Sequence, residues 1–211
     1  MARAPSKEDT QILVAVYCNN LLNRGSTVQS LSDSIIARKE YLSKACKELQ
    51  EQGYLKKAKD GYRLTARGRK SITVVFAGGA FDIIHPGHVH TLTESKKLGD
   101  VLAVSIARNS TVQKNKGREP INDEKLRRDL VQALRCVDCA ILGSEIDIFE
   151  TVMKVRPNII ALGYDQRHNE KMLIEEARKR GLDLDVIRLV SPIPKVKSSN
   201  IVKQPGIMTD F

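Results

Sequence analysis

Apolar and polar residues change their rhythm once along this chain, near Ser71. Before that point the spacing is helical. Ile12, Leu13, Val16, Tyr17 and Leu21 recur every three to four positions, which predicts a helix from Lys7 to Leu22 that is ended by Gly25. Val28, Leu31, Ile35 and Ile36 form a second short pattern, and Tyr41, Leu42, Ala45 and Leu49 a third that stops at Gly53. Tyr54-Leu55-Lys56 and Tyr62-Arg63-Leu64 then flank Lys59-Asp60-Gly61, a hairpin signal. After Ser71 short apolar runs alternate with amphipathic stretches. Strands are expected at 72–76, 101–106, 137–142, 159–162 and 186–189, and helices at 89–98, 123–134, 146–155 and 171–180. That alternation predicts an α/β fold with a doubly wound, parallel five-stranded sheet. Right-handed crossovers give the strand order 3-2-1-4-5, with a ligand crevice between the carboxyl ends of strands 1 and 4. Two domains follow, residues 1–70 and 71–211.

Composition adds a charge asymmetry. The 211 residues carry a net charge of +10. Residues 1–70 hold 14 Lys and Arg against 7 Asp and Glu, a net +7, while residues 71–211 hold 21 against 18, a net +3. A basic first domain suits nucleic acid, although a solvated surface has the same composition. No apolar run is long enough to span a bilayer and no signal-peptide core follows the N-terminus, so no membrane association and a cytoplasmic location are expected. Cys18, Cys46, Cys136 and Cys139 are too few and scattered for a disulfide scaffold. Cys136-Val137-Asp138-Cys139 is formally a CxxC, but at a helix-to-strand passage packed thiols are expected rather than a redox pair.

The chemistry concentrates in Phe76-Ala77-Gly78-Gly79-Ala80-Phe81-Asp82-Ile83-Ile84-His85-Pro86-Gly87-His88. The segment follows a buried strand and opens a helix. Glycines after a strand let backbone N–H groups approach an anion, and Pro86 fits a first helical turn whose free N–H groups favour negative charge. His85 and His88 can donate to phosphoryl oxygens when neutral and offset charge when protonated. Other readings are a zinc site using His85, His88 and His90, or histidines that cap the helix. No Cys, Asp or fourth His stands at usual zinc-ligand spacing. Further along, Lys114, Lys116 and Arg118 fall in a Gly-containing loop after strand 2, Arg127 and Arg128 on the next helix, and Leu162-Gly163-Tyr164-Asp165-Gln166 at the end of strand 4. Asp165 and Gln166 suit reading a base or ribose. Ser198 or Ser199 could cap a final helix and meet phosphate oxygens.

Gly79-Ala80-Phe81-Asp82 followed by His85-Pro86-Gly87-His88 resembles the signature of the nucleotidyltransferase superfamily, a Gly-[Thr/Ser]-Phe-Asp turn and His-x-Gly-His. Ala80 departs from it, removing a side-chain contact to phosphate but not the backbone contacts. Residues 72–203 resemble the archaeal-type FAD synthases through these motifs and through Ala107 to Val112, Lys116-Gly117-Arg118, Arg127-Arg128, Val137-Asp138, the LGYDQ segment and Ser198-Ser199. The resemblance implies a Rossmann-like nucleotidyltransferase that transfers AMP from ATP to FMN with release of pyrophosphate, aided by a divalent metal, Mg²⁺ by expectation. It implies catalytic roles for His85, His88 and Lys114, and nucleotide binding by Gly79, Ala80, Phe81, Asp82, Gly87, Lys116, Arg127, Asp165, Ser198 and Ser199. It gives no resident protein metal site. Glycerol-phosphate cytidylyltransferases carry an Arg-Thr-x-Gly-Ile-Ser-Thr-Thr segment near the end, whereas Ser191 to Lys195 contain no arginine. A CTP-dependent transferase acting on a phosphorylated alcohol such as glycerol 3-phosphate therefore stands second. Residues 8–70 resemble a winged helix-turn-helix, with Arg38 to Gln52 as recognition helix and Lys56 to Arg63 as wing. Arg38, Lys39, Lys44 and Lys47 would meet DNA phosphates, with Ser43 and Lys44 near base edges. The same domain could instead pack on the second or make a homodimer. A DNA-binding regulator that only senses a nucleotide is the third reading, though such a protein need not retain both His85 and His88.

Overall fold

The computed structural model describes residues 3–190. Ser198 and Ser199, and the roles expected of them, lie outside the described residues. The chain divides into two compact units with the boundary between Thr73 and Val74.

The first unit contains α1 (Lys7–Leu21), α2 (Val28–Ser34), α3 (Lys39–Glu51), an antiparallel hairpin of β1 (Leu55–Ala58) and β2 (Gly61–Leu64), and α4 (Ala66–Lys70). Helix α1 starts at a capping box, in which the Ser6 hydroxyl accepts from the Asp9 N–H and the Asp9 carboxylate accepts from the Ser6 N–H. Two otherwise unsatisfied donors are satisfied there, worth about 1 kcal/mol. The apolar stripes of the three helices meet in Leu13, Val16, Leu31, Leu42 and Cys46, all fully buried. Gly61 has φ +118 and forms a bridge to Ser26. A Cβ there would lie 2.4 Å from the Ser26 carbonyl, so only glycine lets the hairpin close against the segment before α2.

The second unit contains β3 (Val74–Gly79), α5 (Pro86–Lys96), β4 (Val101–Ile106), α6 (Asn109–Lys116), α7 (Glu124–Gln132), β5 (Cys139–Leu142), α8 (Ile148–Val155), β6 (Ile159–Leu162), α9 (Glu170–Lys179) and β7 (Asp185–Arg188). All five strands are parallel in the order β5-β4-β3-β6-β7, the doubly wound 3-2-1-4-5 arrangement. Val75 and Ala77 join Leu92 of α5 and Val131 of α7 in one core. The alternate residues of β3, Phe76 and Gly78, face a cavity walled by Val152 of α8 and Leu173 of α9. Helices thus cover both faces, and β4 is buried at every position, Ser105 included, as its largely apolar run leads one to expect.

Two expectations need correction. Lys114 and Lys116 stand on helix α6, not in a loop. Only Val112 of that helix is buried, so the sequence gives no amphipathic period to find. Strand β5 starts at Cys139, because the Val137 N–H closes a turn onto the Leu134 carbonyl. Among the described residues all four cysteines are free thiols.

Candidate active site

At the end of β3 the chain turns through Phe81, whose φ of +49 is left-handed. A non-glycine residue in that region costs roughly 1–2 kcal/mol and persists only where its surroundings hold it. Three neighbours do so. The Phe81 ring packs so closely on Gly79 that a Cβ on that glycine would sit 2.9 Å from it. The Arg127 Nη1 donates to the Ala80 carbonyl at 2.5 Å. The Asp82 carboxylate, 1 % exposed, accepts from the backbone N–H of Ile121 at 2.7 Å, that of Asn122 at 3.2 Å, and Arg118 Nη2 at 2.8 Å. Burial pushes the Asp82 carboxyl up, but the Asn122 N–H, the Arg118 guanidinium and the Ile121 N–H together hold it below the usual carboxylate range.

Arg127 was expected at the nucleotide, and its position argues otherwise. The side chain is fully buried and donates to the carbonyls of Asn122 and Ala80 and to Asn109 Oδ1. It braces the turn from inside the protein. Asp82 likewise clamps the 118–122 segment to the motif, and neither side chain is open to a ligand. Phe81, also buried, supports the histidines from behind.

His85 occupies the N-cap position of α5 with Pro86 in the first turn, yet its side chain makes no capping bond. Its ring instead stacks on His88, with centroids 3.8 Å apart and planes at 23°. His88 in turn leans on Phe81, with centroids 5.1 Å apart. The Nδ1 atoms of both histidines are buried without a hydrogen-bond partner. Orphaned buried polar atoms are rare and call for a reason. Burial lowers the pKa of His85, against the nearby Asp165 charge, which raises it, and with Lys116, which lowers it further. His88 is pushed down to about 4 by burial, then by His85 and Lys116. Both rings are therefore neutral near pH 7, each carrying one N–H, and the His88 ring also hydrogen-bonds the Ile83 backbone. Among the described residues no three His, Cys, Asp or Glu are grouped to hold a metal, which disfavours a zinc centre on His85, His88 and His90.

A cavity of about 370 Å³ opens at the carboxyl ends of β3, β4, β5 and β6. Gly79, Ala80 and Lys116 lie on its wall, while His85 and His88 do not. Lys116 links the two regions, since its charge reaches both imidazoles. Burial and the charges of Arg118 and Arg127 depress its own pKa, with Asp82 opposing. Lys114, two residues earlier on the same helix and exposed like Lys116, is absent from the wall. Positions two apart on a helix project about 200° from one another, so of the two lysines Lys116 is placed for the site. Asp165 stands at the β6 end, close enough for its charge to act on both histidines. Gln166 lines the cavity, but its amide is engaged, donating to the Gly78 carbonyl at 2.6 Å and accepting from the Gly163 N–H at 3.2 Å. It ties β3 to β6 across the switch point.

Several site residues escaped the sequence reading. Asn115, Ser144, Glu145, Ile146 and His168 line the cavity and belong to no motif, and Thr111, within the Ala107 to Val112 segment, lines it without having been assigned a role. Arg188 of β7 shapes the LGYDQ segment by donating to the carbonyls of Gly163, Gln166 and His168. Its only sequence signal is a charge that closes the short strand Asp185–Arg188.

A parallel doubly wound sheet with a histidine pair on the helix after its central strand defines a nucleotide-handling class, and the chain belongs to the cytidylyltransferase-like family, whose model matches residues 76–204. Similar proteins include the FAD synthase of Aciduliprofundum boonei, 53 % identical over 115 residues that cover 54 % of this chain and 76 % of the relative. The FAD synthase of Methanosarcina barkeri is 46 % identical over 135 residues, 63 % of this chain and 96 % of the relative. A crystal structure described as the lipopolysaccharide core biosynthesis protein from Thermoplasma volcanium GSS1 superposes with a TM-score of 0.55 at 48 % identity, covering 57 % of this chain and 98 % of that one.

Proposed function

We infer that the second unit is an FAD synthase, an FMN adenylyltransferase that joins the AMP part of ATP to FMN. The observation that carries the reading is the stacked, neutral His85–His88 pair with orphaned Nδ1 atoms, beside a cavity whose wall includes Lys116. The similarity to FAD synthases at 46–55 % identity selects the substrates.

An oxygen of the FMN phosphate attacks the α-phosphorus of ATP, and the bond from that phosphorus to the β-phosphate oxygen breaks as pyrophosphate leaves. Such a transfer needs positioning and charge stabilisation rather than a covalent nucleophile. The imidazole N–H groups of His85 and His88 donate to phosphate oxygens whose charge grows during departure, and Lys116 supplies a fixed cation. Backbone N–H groups around Gly79 and the first turn of α5 add dipoles, which suffice although Ala80 has no hydroxyl. Without a protein cage among the described residues, a divalent ion such as Mg²⁺ would be carried by the nucleotide's own phosphates, where it would neutralise charge. These substrates suit a cytoplasmic enzyme, and no helix among the described residues is long and apolar enough to cross a membrane.

For the first unit we propose a winged helix-turn-helix that binds DNA, with α3 as recognition helix and the β1–β2 hairpin as wing. Arg38, Lys39, Lys44 and Lys47 of the helix region and Lys56, Lys57 and Lys59 of the hairpin are all exposed, which supports it. Incubating the full chain with Mg²⁺, ATP and FMN and separating flavins by chromatography tests the catalytic reading. Electrophoretic shift of duplex DNA tests the second.

A further inference from the structure

The cavity wall has two chemically different kinds of lining. One holds Gly79, Ala80 and Lys116, within electrostatic reach of the histidines. The other is aliphatic, made by Val112 of α6 together with Ile146, Ile148 and Val152 at and just before α8. Ile146 is the unusual member, 87 % exposed on a cavity rim. Its turn is well fixed. The Ile146 N–H donates to Ser144 Oγ at 3.0 Å and the Ser144 N–H to Thr151 Oγ1 at 2.9 Å. The flanking carboxylates are pinned as well, Glu145 to Arg108 and Asp147 to Arg180, each at 2.9 Å or less. An isoleucine that a braced turn holds in water, continuous with three more aliphatic side chains, is a surface for an apolar ligand face.

The charges narrow the choice of ligand. Glu145 and Asp147 on either side of Ile146 are already paired with Arg108 and Arg180, so the cation that suits a triphosphate on this wall is Lys116. The aliphatic side chains beside Ile146 suit an uncharged part of the substrates.

We propose that this rim is the seat of the isoalloxazine ring and that Ile146 is a specificity-determining residue for the flavin acceptor. The dimethylbenzene portion of that ring is apolar and matches Ile146, Ile148 and Val112. Its pyrimidine portion carries donors and acceptors that Thr111 and Asn115, on the same wall, can answer. Adenine lacks such an apolar edge and fits the polar Asp165 side of the crevice better. The inference rests on FMN being the acceptor, as proposed above.

Riboflavin, which has the ring but no phosphate, isolates the contact. Its binding to the full chain is measured by flavin fluorescence anisotropy, beside FMN and ATP affinities, in wild type, Ile146→Val and Ile146→Asp. Because Ile146 is exposed, its replacement leaves the fold intact. The Asp variant is expected to weaken riboflavin and FMN by about tenfold or more, as loss of an apolar contact does, while Val stays near wild type and ATP affinity is unchanged. Equal flavin affinity in wild type and Ile146→Asp, or a loss confined to ATP, overturns the assignment while FAD formation by the wild type still stands. A wild type that neither binds flavin nor makes FAD overturns the acceptor reading and this inference together.

Discussion

The imidazole rings of His85 and His88 stack with their centroids 3.8 Å apart. Two rings so close resist carrying two charges, and the effect of His85 on His88 is to lower its pKa further beyond what burial does. In the unfolded chain each has an ordinary pKa of about 6.5. Between that value and the folded value of about 4 for His88, the unfolded state binds more protons than the folded one. Stability is thus fully present above pH 6.5 and falls as the pH drops toward 4. The fall from about 6.5 to about 4 corresponds to a loss on the order of 3 kcal/mol once the pH is below the folded value. Thermal melts of wild type and His88→Asn across pH 4–7 check this. The wild type should lose melting temperature through the window and the variant should have a flatter profile there.

Replacing His85 or His88 with Ala is expected to lower kcat by about a hundredfold or more, by comparison with loss of a preorganised donor. KM for ATP should rise less, because the contacts strengthen in the transition state. Steady-state kinetics of both variants separate the two parameters. Lys114→Ala should stay near wild type and Lys116→Ala should lose activity, since Lys116 is on the cavity wall and Lys114 is not.

Asp82→Ala removes the acceptor for two backbone N–H groups and the partner of Arg118. A cost of about 2–4 kcal/mol is expected, discounted because Arg118 is partly exposed. Arg118→Ala should cost less, as the carboxylate keeps its two backbone donors. Denaturant unfolding of the pair orders them.

Much of this fold was legible from periodicity. The strands Val101–Ile106 and Ile159–Leu162 match the expected bounds residue for residue, because strands buried in a parallel sheet leave runs that are apolar or, as at Ser105, nearly so. Helix α6 was not legible, since it buries Val112 alone. The same distinction governs the site. Gly79, His85 and His88 stand in one contiguous motif, whereas Asn115, Ile146 and Arg188 are brought to the site from three separate segments. Arg127 illustrates a different limit. Sequence shows a cation near phosphate-binding motifs, and only packing shows that carbonyls of the turn already occupy it.

The unit beginning at Val74 has its own sheet and core. Residues 74–211 expressed alone should therefore fold and retain transferase activity. Circular dichroism and the FAD assay on the truncated chain check both.

If α3 and the hairpin lie on DNA, affinity should fall steeply with salt as phosphate contacts release counterions. Lys44→Ala and Lys47→Ala should each weaken binding to all duplexes and reduce the salt slope by about one. Fluorescence anisotropy of labelled duplex from low to moderate salt reads both. Binding that is absent, or indifferent to salt, contradicts the DNA reading and leaves the catalytic unit untouched.

The most direct measurement offers the full chain ATP or CTP, each with Mg²⁺ and with FMN or glycerol 3-phosphate, and quantifies pyrophosphate together with the nucleotide product. ATP with FMN should give FAD and pyrophosphate in equal amounts, CTP should be the poorer donor, and glycerol 3-phosphate should give little product. Formation of CDP-glycerol from CTP with no FAD from ATP, or no product from any pair, would contradict the assignment of this site to flavin adenylylation.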